Sequence, residues 1–384
     1  MLRRVSTSFA AQIWALFLAL ADRLILVAVL LRFWGTDLYA DWAIIFAAAN
    51  LISMGELGLN VYLGNAWQRA FAHKDEVQFQ RLVSVSLTIY LGLTAILMVT
   101  AFPAAFAVDL GNRLSLQIVD GNTAIQILAI LIVAFALRIL RGSISQIYRG
   151  RGHFAAGTIV NSLSTAALII AVVMAALLGG SPVHVALTYL AVDSIFGLGI
   201  MLYDLKRRFP HLRFSPQVPD SAELIDMTGH GKWYAVLQAA PIAWLQVPVL
   251  MIAGLGLGGL AVVSFVVLRT LVNFARQIPE MLARSVGVET AGDFHLGDKD
   301  RLWRIFKVFG PFLSALTGAF AGGLFVFAAP FTALWTGRPE AYNAWIVFWL
   351  LAPVIMVAPA TPLRNLLTLG NVPRPVALAQ MAQL

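Results

Sequence analysis

The sequence predicts an all-α polytopic membrane protein, and three observations lead to this fold class. Hydrophobic residues make up 60% of the 384 positions and charged residues only 12%, whereas ordinary globular domains are about a quarter charged. Apolar stretches long enough to cross a hydrocarbon layer of about 30 Å recur along the chain. The basic residues are concentrated in alternate connections between these stretches.

Ten apolar stretches are predicted to be membrane-spanning helices, because each is roughly 18 to 26 residues long. They are residues 9–31, 38–60, 82–107, 121–140, 155–178, 183–203, 233–255, 259–278, 305–328 and 343–360. A further apolar stretch begins at Val376 and reaches Leu384 after nine residues, which is too few for a crossing. We therefore expect ten or eleven helices.

The net charge of +8 is explained by membrane topology and does not call for a nucleic-acid partner. If the N-terminus is cytoplasmic, all but five of the 27 lysines and arginines lie on the cytoplasmic side, in the connections or at the cytoplasmic ends of spans, as the positive-inside rule requires. The exceptions are Arg32, Arg113 and Arg338 on the other side, and Arg23 and Arg269 within spans. We therefore expect a multi-pass protein of the cytoplasmic (inner) membrane with a cytoplasmic N-terminus.

The N-terminus has an alternative interpretation as a cleaved signal peptide. Arg3 and Arg4 precede an apolar stretch that ends in Ala19-Leu20-Ala21, a pattern also typical of such peptides. Cleavage would leave an apolar stub, residues 24–34, that is too short to cross the membrane. It would also upset the charge bias, so we favour a retained first span.

Aromatic residues flank two of the predicted external loops. Tyr39 and Trp42 lie beside the first loop, and Trp345 and Trp349 beside the last. Tryptophan and tyrosine are enriched at the membrane–water interface. We therefore expect these four side chains to belong to interfacial belts.

The longest polar segment divides the chain into two helical blocks. We predict an N-terminal six-helix bundle at 1–204, a cytoplasmic linker at 205–232 and a C-terminal bundle at 233–384. The linker is rich in proline, arginine and aspartate.

A single offset relates the two blocks. Shifting the second block by 223 positions superposes Asp298 on Asp75, and the spans coincide, so an internal repeat is predicted. Six helices are an even number, so the two copies should be related by a pseudo-twofold axis along the membrane normal. The same shift places Leu384 on Asn161. The second bundle is therefore expected to be incomplete by about 40 residues.

Polar side chains inside the spans are the candidate functional residues. Arg269, Asn273 and Arg276 follow one another at +4 and +7 and therefore share one face of a helix. A charge facing lipid at this depth costs about 2.5 to 3.5 kcal/mol. We expect this face, and the Asp22-Arg23 pair of the first span, to line a polar cavity between the bundles.

The second span carries a further polar stripe. Asn50, Ser53, Glu56 and Asn60 fall within an arc of about 120° if the span is a regular helix. Glu56 then joins Asp22 as a carboxylate of the predicted cavity.

Each of these residues also has a structural interpretation. Asp22 and Arg23 can neutralise one another, and Glu56, near the end of its span, also fits a solvated rim carboxylate. Arg276 is close enough to the interface to snorkel. Asp193, isolated among apolar neighbours in the sixth span, is interpreted as a helix-packing or cleft-edge residue.

Short motifs along the chain resemble the polysaccharide-export branch of the multidrug/oligosaccharidyl-lipid/polysaccharide (MOP) flippase superfamily. They are ISMGELGLN at 52–60, NAWQR at 65–69, HKDE at 73–76, LRGS at 140–143, YRGRG at 148–152 and LWTG at 334–337. The resemblance implies two six-helix bundles around a V-shaped cavity. It also implies alternating access that moves an undecaprenyl-diphosphate-linked oligosaccharide to the outer leaflet for cell-surface polysaccharide such as O-antigen.

The resemblance also implies roles for individual residues. Lipid II flippases of this superfamily have an Arg-Asp pair on the first helix and a cavity arginine on the eighth, thought to hold the diphosphate. Asp22-Arg23, in reversed order, and Arg269 fall at similar places. We expect Arg23 and Arg269, with Asn273 and Arg276, to bind the diphosphate, because the guanidinium group makes paired hydrogen bonds to phosphate. We expect Asp22 or Glu56 to couple transport to a proton or sodium gradient.

Two other classes of function remain open. A cation-coupled multidrug antiporter of the same superfamily would have intramembrane acids that outnumber bases, and a membrane glycan polymerase or ligase would need a large external loop. No nucleophile, base and orienting acid can be assembled from the sequence, and no metal-ligand spacing is present, so an enzyme, a metal site or a cofactor is not expected. The expected partners are the lipid-linked oligosaccharide, membrane lipids and other polysaccharide-assembly proteins.

Overall fold

The computed structural model describes residues 2–56, 58–107, 114–296, 298–369 and 372–381. Within these ranges the chain forms helices and turns and no strand, so the predicted all-α fold is confirmed. Arg113 and residues 382–384 of the last apolar stretch lie outside the described ranges.

The described helices belong to two compact units, Met1–Gly256 and Leu257–Leu384. The first unit contains α1 (Leu2–Asn50), α2 (Leu59–Ala72), α3 (Glu76–Ala107), α4 (Gly121–Gly150), α5 (Phe154–Leu177), α6 (Pro182–Val192), α7 (Ile200–Arg208) and α8 (Ser221–Gly254). The second contains α9 (Gly259–Leu296), α10 (Lys299–Thr336), α11 (Ala344–Val357), α12 (Thr361–Leu369) and α13 (Pro373–Met381). The division into bundles at 1–204 and 233–384 and the pseudo-twofold axis stay predictions.

The predicted membrane spans are confirmed by the lengths of the helices. Nine helical segments in the described part of the chain are long and apolar enough to cross a membrane. The first of them, Ala10–Glu56, is 47 residues long and is interrupted at Gly35, where φ is 76°. Glycine adopts a positive φ at little cost, so Gly35 separates two lengths that each suffice for one crossing. The nine segments thus account for the ten predicted spans.

The end of the second span departs from a regular helix. The chain tightens into a 3₁₀ turn at Leu51–Glu56, and Gly58 has a φ of 64°. A Cβ atom at Gly58 would lie 2.3 Å from the backbone carbon of Tyr234, so only glycine allows α8 to approach this closely. The predicted 120° arc from Asn50 to Asn60 is therefore wrong, because it assumes an unbroken α-helix.

A strap formed by residues 209–220 joins the sixth span to the seventh along the start of α3. The side chain of Gln80 accepts a hydrogen bond from the backbone nitrogen of Arg213 at 3.0 Å and donates one to the carbonyl oxygen of the same residue at 2.5 Å. The backbone nitrogen of Gln217 donates to the carbonyl oxygen of Ser84 at 3.3 Å. The polar linker predicted from the sequence is thus fastened to the first unit.

The strap ends at the N-cap of α8. Asp220 and Glu223 form a capping box, and both carboxylates bind Arg81 of α3, at 3.2 and 2.7 Å. The hydrogen bond from Arg81 holds the pKa of Glu223 below its ordinary value. The start of α8 is therefore tied to the start of α3 by charge as well as by the backbone.

A buried carboxylate fixes the start of α4. Asp41 is fully buried and accepts hydrogen bonds from the backbone nitrogens of Gln117, Ile118 and Val119 at 3.0, 2.7 and 2.8 Å. Three donors satisfy a carboxylate that would otherwise be costly to bury. This contact closes the connection between α3 and α4 onto the second span.

The aromatic side chains of the two predicted belts differ in their exposure. Trp345 and Trp349 are 71% and 67% exposed, as interfacial residues would be. Tyr39 and Trp42 are each only 4% exposed, because they pack inside the first unit. The prediction of an interfacial position is therefore wrong for Tyr39 and Trp42.

Candidate functional site

The first unit contains an intramembrane charge cluster that the sequence did not predict. Asp193, only 3% exposed, pairs with two arginines of α4: Arg138 Nη2 lies 2.7 Å from its Oδ2, and Arg141 Nη1 lies 3.1 Å from its Oδ1. The two arginines are three residues apart and therefore share one face of α4. Asp193 is thus a carboxylate held between two cations, and we call these three residues the Asp193 cluster.

The backbone around Asp193 is shaped to admit the arginines. Asp193–Gly199 forms a π-helical turn between α6 and α7, and such turns occur often at functional sites. Ser164 Oγ donates to the carbonyl oxygen of Phe196 at 2.8 Å, which satisfies one carbonyl within the turn. A Cβ atom at Gly197 would come within 2.6 Å of Arg141 Nη1. Glycine at this position therefore gives the guanidinium group its space.

Aromatic rings surround Arg138. Its guanidinium carbon lies 5.1 Å from the ring centre of Phe135 and 5.9 Å from that of Tyr189. Phe46 packs against both of these rings, at centroid distances of 5.2 and 5.6 Å. Aromatic faces attract a cation, so the rings stabilise the guanidinium in an otherwise apolar surrounding.

Asp22 lies beside this cluster. Its carboxylate interacts electrostatically with Arg138 of α4 and with its neighbour Arg23. Oδ1 of Asp22 is buried and makes no hydrogen bond with the described residues. The structure thus brings the predicted pair Asp22 and Arg23 together with Arg138, while the side chain of Arg23 itself is exposed.

Glu56 belongs to a separate network. Asn60 Nδ2 donates to Glu56 Oε1 at 2.5 Å, and the hydroxyl group of Tyr90 donates to Asn60 Oδ1 at 2.7 Å. Asn60 is 9% exposed and Tyr90 is fully buried. Glu56 is therefore half-buried and hydrogen-bonded, which differs from a fully solvated rim carboxylate.

The second unit holds the polar face predicted on the eighth span. Arg269, Asn273 and Arg276 all lie on the regular helix α9, so their shared face is confirmed. Asn273 is 4% exposed, and its Oδ1 is buried without a hydrogen bond to the described part of the chain. The guanidinium carbon of Arg269 lies 5.7 Å from the ring centre of Phe265. Polar groups therefore continue through the middle of an apolar helix.

A carboxylate lies near Arg276. Its Nε is 3.9 Å from Glu280 Oε2, one turn further along α9. Glu280 also binds Arg364 Nη2 of α12 at 2.5 Å. Arg276, with 36% of its side chain exposed, thus belongs to an ion-paired group at the edge of the helix.

Sequence reasoning misses the Asp193 cluster because it places Arg138 and Arg141 with the basic residues of the cytoplasmic side. The apolar pattern weakens at residue 140, but α4 continues to Gly150. One signal was present: an acidic residue inside a neighbouring span needs a basic partner. As for metals, no group of three His, Cys, Asp or Glu side chains suited to an ion comes together among the residues searched, which are the described ones.

Comparisons with known proteins identify the fold. The chain is similar to the solved inward-facing conformation of a multidrug resistance MATE family transporter of the MOP superfamily, with a TM-score of 0.71 and 15% identity over 96% of this chain and 83% of that chain. It is similar to the crystal structure of a MATE point mutant, with a TM-score of 0.72 and 15% identity over 98% and 84% of the two chains.

An outward-facing conformation of a MATE family transporter also matches, with a TM-score of 0.60 and 15% identity over 96% of this chain and 84% of that chain. No protein-family model and no curated protein matches the sequence. Although the identity is only 15%, TM-scores of 0.60 to 0.72 establish a common fold. The chain therefore has the fold of the MATE transporters of the MOP superfamily.

Proposed function

We propose that this chain is a membrane transporter that works by alternating access. Its cargo is an amphipathic lipid with a phosphate-bearing head group, such as an undecaprenyl-diphosphate-linked oligosaccharide used for cell-surface polysaccharide. The fold supports the transporter, since similar solved structures are described as transporters. The charged side chains within the predicted spans support a cargo with an anionic head group.

The polar face of α9 carries the proposal for the cargo. Arg269 and the buried Asn273 lie within a helix whose surrounding side chains are apolar. A hydrophilic head group has to cross the hydrocarbon while its polyprenyl tail stays in lipid. A guanidinium group at this depth lowers the barrier, because it can make charge-assisted hydrogen bonds to a phosphate.

In the group formed by Asp22, Arg23 and the Asp193 cluster, bases outnumber acids. Arg23, Arg138 and Arg141 stand against Asp22 and Asp193 in the group described above. A binding site for cationic drugs would be expected to contain more acidic than basic side chains. The excess of arginine therefore supports an anionic cargo.

Asp22 is the residue that best fits ion coupling. Its Oδ1 has no hydrogen bond within the described ranges, and its charge acts on Arg138 and Arg23. Binding of a proton or a sodium ion would neutralise the Asp22 carboxylate and change the net charge of Asp22, Arg23 and the Asp193 cluster. Glu56 is the second candidate for ion coupling, because one of its carboxylate oxygens already accepts a hydrogen bond from Asn60.

The second candidate function is a cation-coupled multidrug antiporter. The comparisons support it better than the flippase, because the similar solved structures include a multidrug resistance transporter. Asp22 would serve such an antiporter equally well. A membrane glycan polymerase or ligase has no observation in its favour.

Both cargos can be tested in one reconstituted system. The purified chain is placed in proteoliposomes with an imposed proton or sodium gradient, and uptake of a cationic dye is compared with translocation of a fluorescent polyprenyl-diphosphate oligosaccharide. The proposal expects lipid translocation that is lost in Arg269→Gln and retained in Arg338→Gln, a control outside the spans. Dye export without lipid translocation would contradict the flippase and establish the antiporter.

The remaining expectations are proposals of the same kind. The excess of basic residues in alternate connections supports an inner-membrane protein with its N-terminus in the cytoplasm. Membrane lipids and other polysaccharide-assembly proteins are the proposed partners. Labelling of single cysteines at Arg207 and Arg338 in intact cells would locate the two sides, because the chain has no cysteine of its own.

A further inference from the structure

A shallow groove of about 730 Å³, open to the surroundings of the protein, lies along the first turns of α10 in the second unit. Among the described residues, the lining side chains are Arg301, Arg304, Ile305, Val308, Phe309 and Phe312. We call this feature the α10 groove.

The α10 groove has a cationic end and an apolar trough. The lining residues recur at spacings of three and four positions, so they form one stripe along the helix. The two arginines stand at the start of this stripe, and isoleucine, valine and phenylalanine follow. Val308 and Phe312 are 73% and 53% exposed, so the trough is open to the surroundings of the protein.

The ends of the groove are held in place locally. Arg304 Nε donates to the carbonyl oxygen of Asp300 at 3.3 Å. Asp298 Oδ1 accepts from the backbone nitrogen of Arg301 at 3.0 Å, which caps the helix. At the apolar end, the rings of Phe309 and Phe312 pack at a centroid distance of 6.0 Å.

The length of the stripe matches one leaflet of a bilayer. Arg301 and Phe312 are eleven positions apart, which corresponds to about 16 Å along a helix. The hydrocarbon of a single leaflet is about 15 Å thick, half of the usual 30 Å. A lipid whose phosphate lies at the arginines would therefore have its acyl chain beside the apolar residues over the full depth of its leaflet.

We propose that the α10 groove binds an anionic phospholipid of the surrounding leaflet. The phosphodiester lies against Arg301 and Arg304, and one acyl chain packs on Val308 and Phe312. Two guanidinium groups can hold a phosphate through several charge-assisted hydrogen bonds, and basic pockets beside membrane helices bind anionic head groups. A phospholipid fits this stripe, because its phosphate and one acyl chain together match the distance from Arg301 to Phe312. The site does not depend on the proposed function.

The test measures the affinity of the purified full chain for lipids in mild detergent. Long-chain phosphatidylglycerol and phosphatidylcholine are titrated separately, and bound lipid is counted by native mass spectrometry. We expect a preference for phosphatidylglycerol that falls roughly 30-fold in Arg301→Gln/Arg304→Gln. The double variant Lys206→Gln/Arg207→Gln removes two exposed cations of the first unit and should keep the preference.

Further measurements test the cationic and the apolar part of the groove separately and include a competing ligand. Arg301→Lys/Arg304→Lys keeps the charge, so it should retain most of the preference even if the glutamine variant folds poorly. Phosphatidylglycerol with six-carbon chains should bind more weakly than the long-chain form. Equal binding of both long-chain lipids, or an equal loss in the control variant, would overturn the proposal. Displacement of phosphatidylglycerol by undecaprenyl phosphate at much lower concentration would also overturn it, because the groove would then belong to the cargo.

Discussion

The two compact units hold their intramembrane charges in different ways. In the first unit, Asp193 joins α4 to the sixth span by two ion pairs at 2.7 and 3.1 Å. In the second unit, Arg269 and Asn273 share one face of the single helix α9, and Asn273 Oδ1 has no hydrogen bond within the described residues. A carboxylate clamped by two cations stabilises a bundle, whereas a polar face on one helix suits a ligand. Under the proposed function, the first unit therefore supplies structure and ion coupling, and the second binds the cargo.

The strongest test of this contrast is the removal of the Asp193 carboxylate. Asp193→Ala leaves Arg138 and Arg141 without their shared partner in an apolar surrounding, and breaking a buried pair in this way costs about 3 to 5 kcal/mol. We expect a large drop in the thermal midpoint of unfolding in detergent. Asp193→Glu should recover part of the loss. An alanine variant with normal stability and no transport would reverse the assignment, because Asp193 would then act on the cargo.

The second test concerns Arg269. Arg269→Gln should lower the rate of lipid translocation roughly 10- to 100-fold, since a hydrogen bond to a charged group contributes about 1.5 to 3 kcal/mol. The thermal midpoint should change little. The measurement is translocation in proteoliposomes, with Arg338→Gln as the matched control. A variant that loses stability and transport together would make Arg269 a structural residue like those of the Asp193 cluster.

The division between what the sequence predicts and what it does not has a physical cause. Spans were predictable because each backbone polar group in lipid must be satisfied within its own helix, which gives a continuous apolar stretch. The shared face of Arg269 and Asn273 follows from the helix period alone. The Asp193 cluster was not predictable, because 52 and 55 positions separate Asp193 from its partners and only the packing of the helices brings them together. The predicted arc around Glu56 is wrong because the α-helix ends at Asn50 and Leu51–Glu56 forms a 3₁₀ turn, which has a different period.

A third test lies in the network of Glu56. Tyr90→Phe removes the hydroxyl group that donates to Asn60 at 2.7 Å inside the first unit. The loss should be about 1 kcal/mol, because Asn60 Oδ1 is left without this donor. Thr100→Val is the control, since the hydroxyl group of Thr100 bonds within its own helix, to Ile96 and Leu97. Urea titration of both variants gives the difference, and equal values would show that the network contributes no stability.

The smallest expected effect is a dependence of stability on pH at the strap. The pKa of Glu223 is lowered in the folded chain by its hydrogen bond from Arg81. Its contribution is therefore present above the unfolded pKa of about 4.3 and is lost as the pH falls through the lower folded value. Because Arg81 is half-exposed, solvent screens the pair and the effect should be small. In a plot of the thermal midpoint of unfolding against pH, Arg81→Gln should reduce the decrease at acidic pH. An unchanged decrease would show that this ion pair does not cause it.

The hydrogen bonds that hold residues 209–220 against α3 should slow the cleavage of this segment by proteases. This segment has the composition of an open linker, yet Gln80 holds the backbone of Arg213 on both sides and Ser84 holds that of Gln217. A protease cuts where the backbone can detach from its hydrogen bonds and extend into the enzyme's cleft. Trypsin should therefore cut slowly after Arg213 in the intact protein and quickly in Gln80→Ala, so the rate of cleavage reports how often the segment lifts from α3.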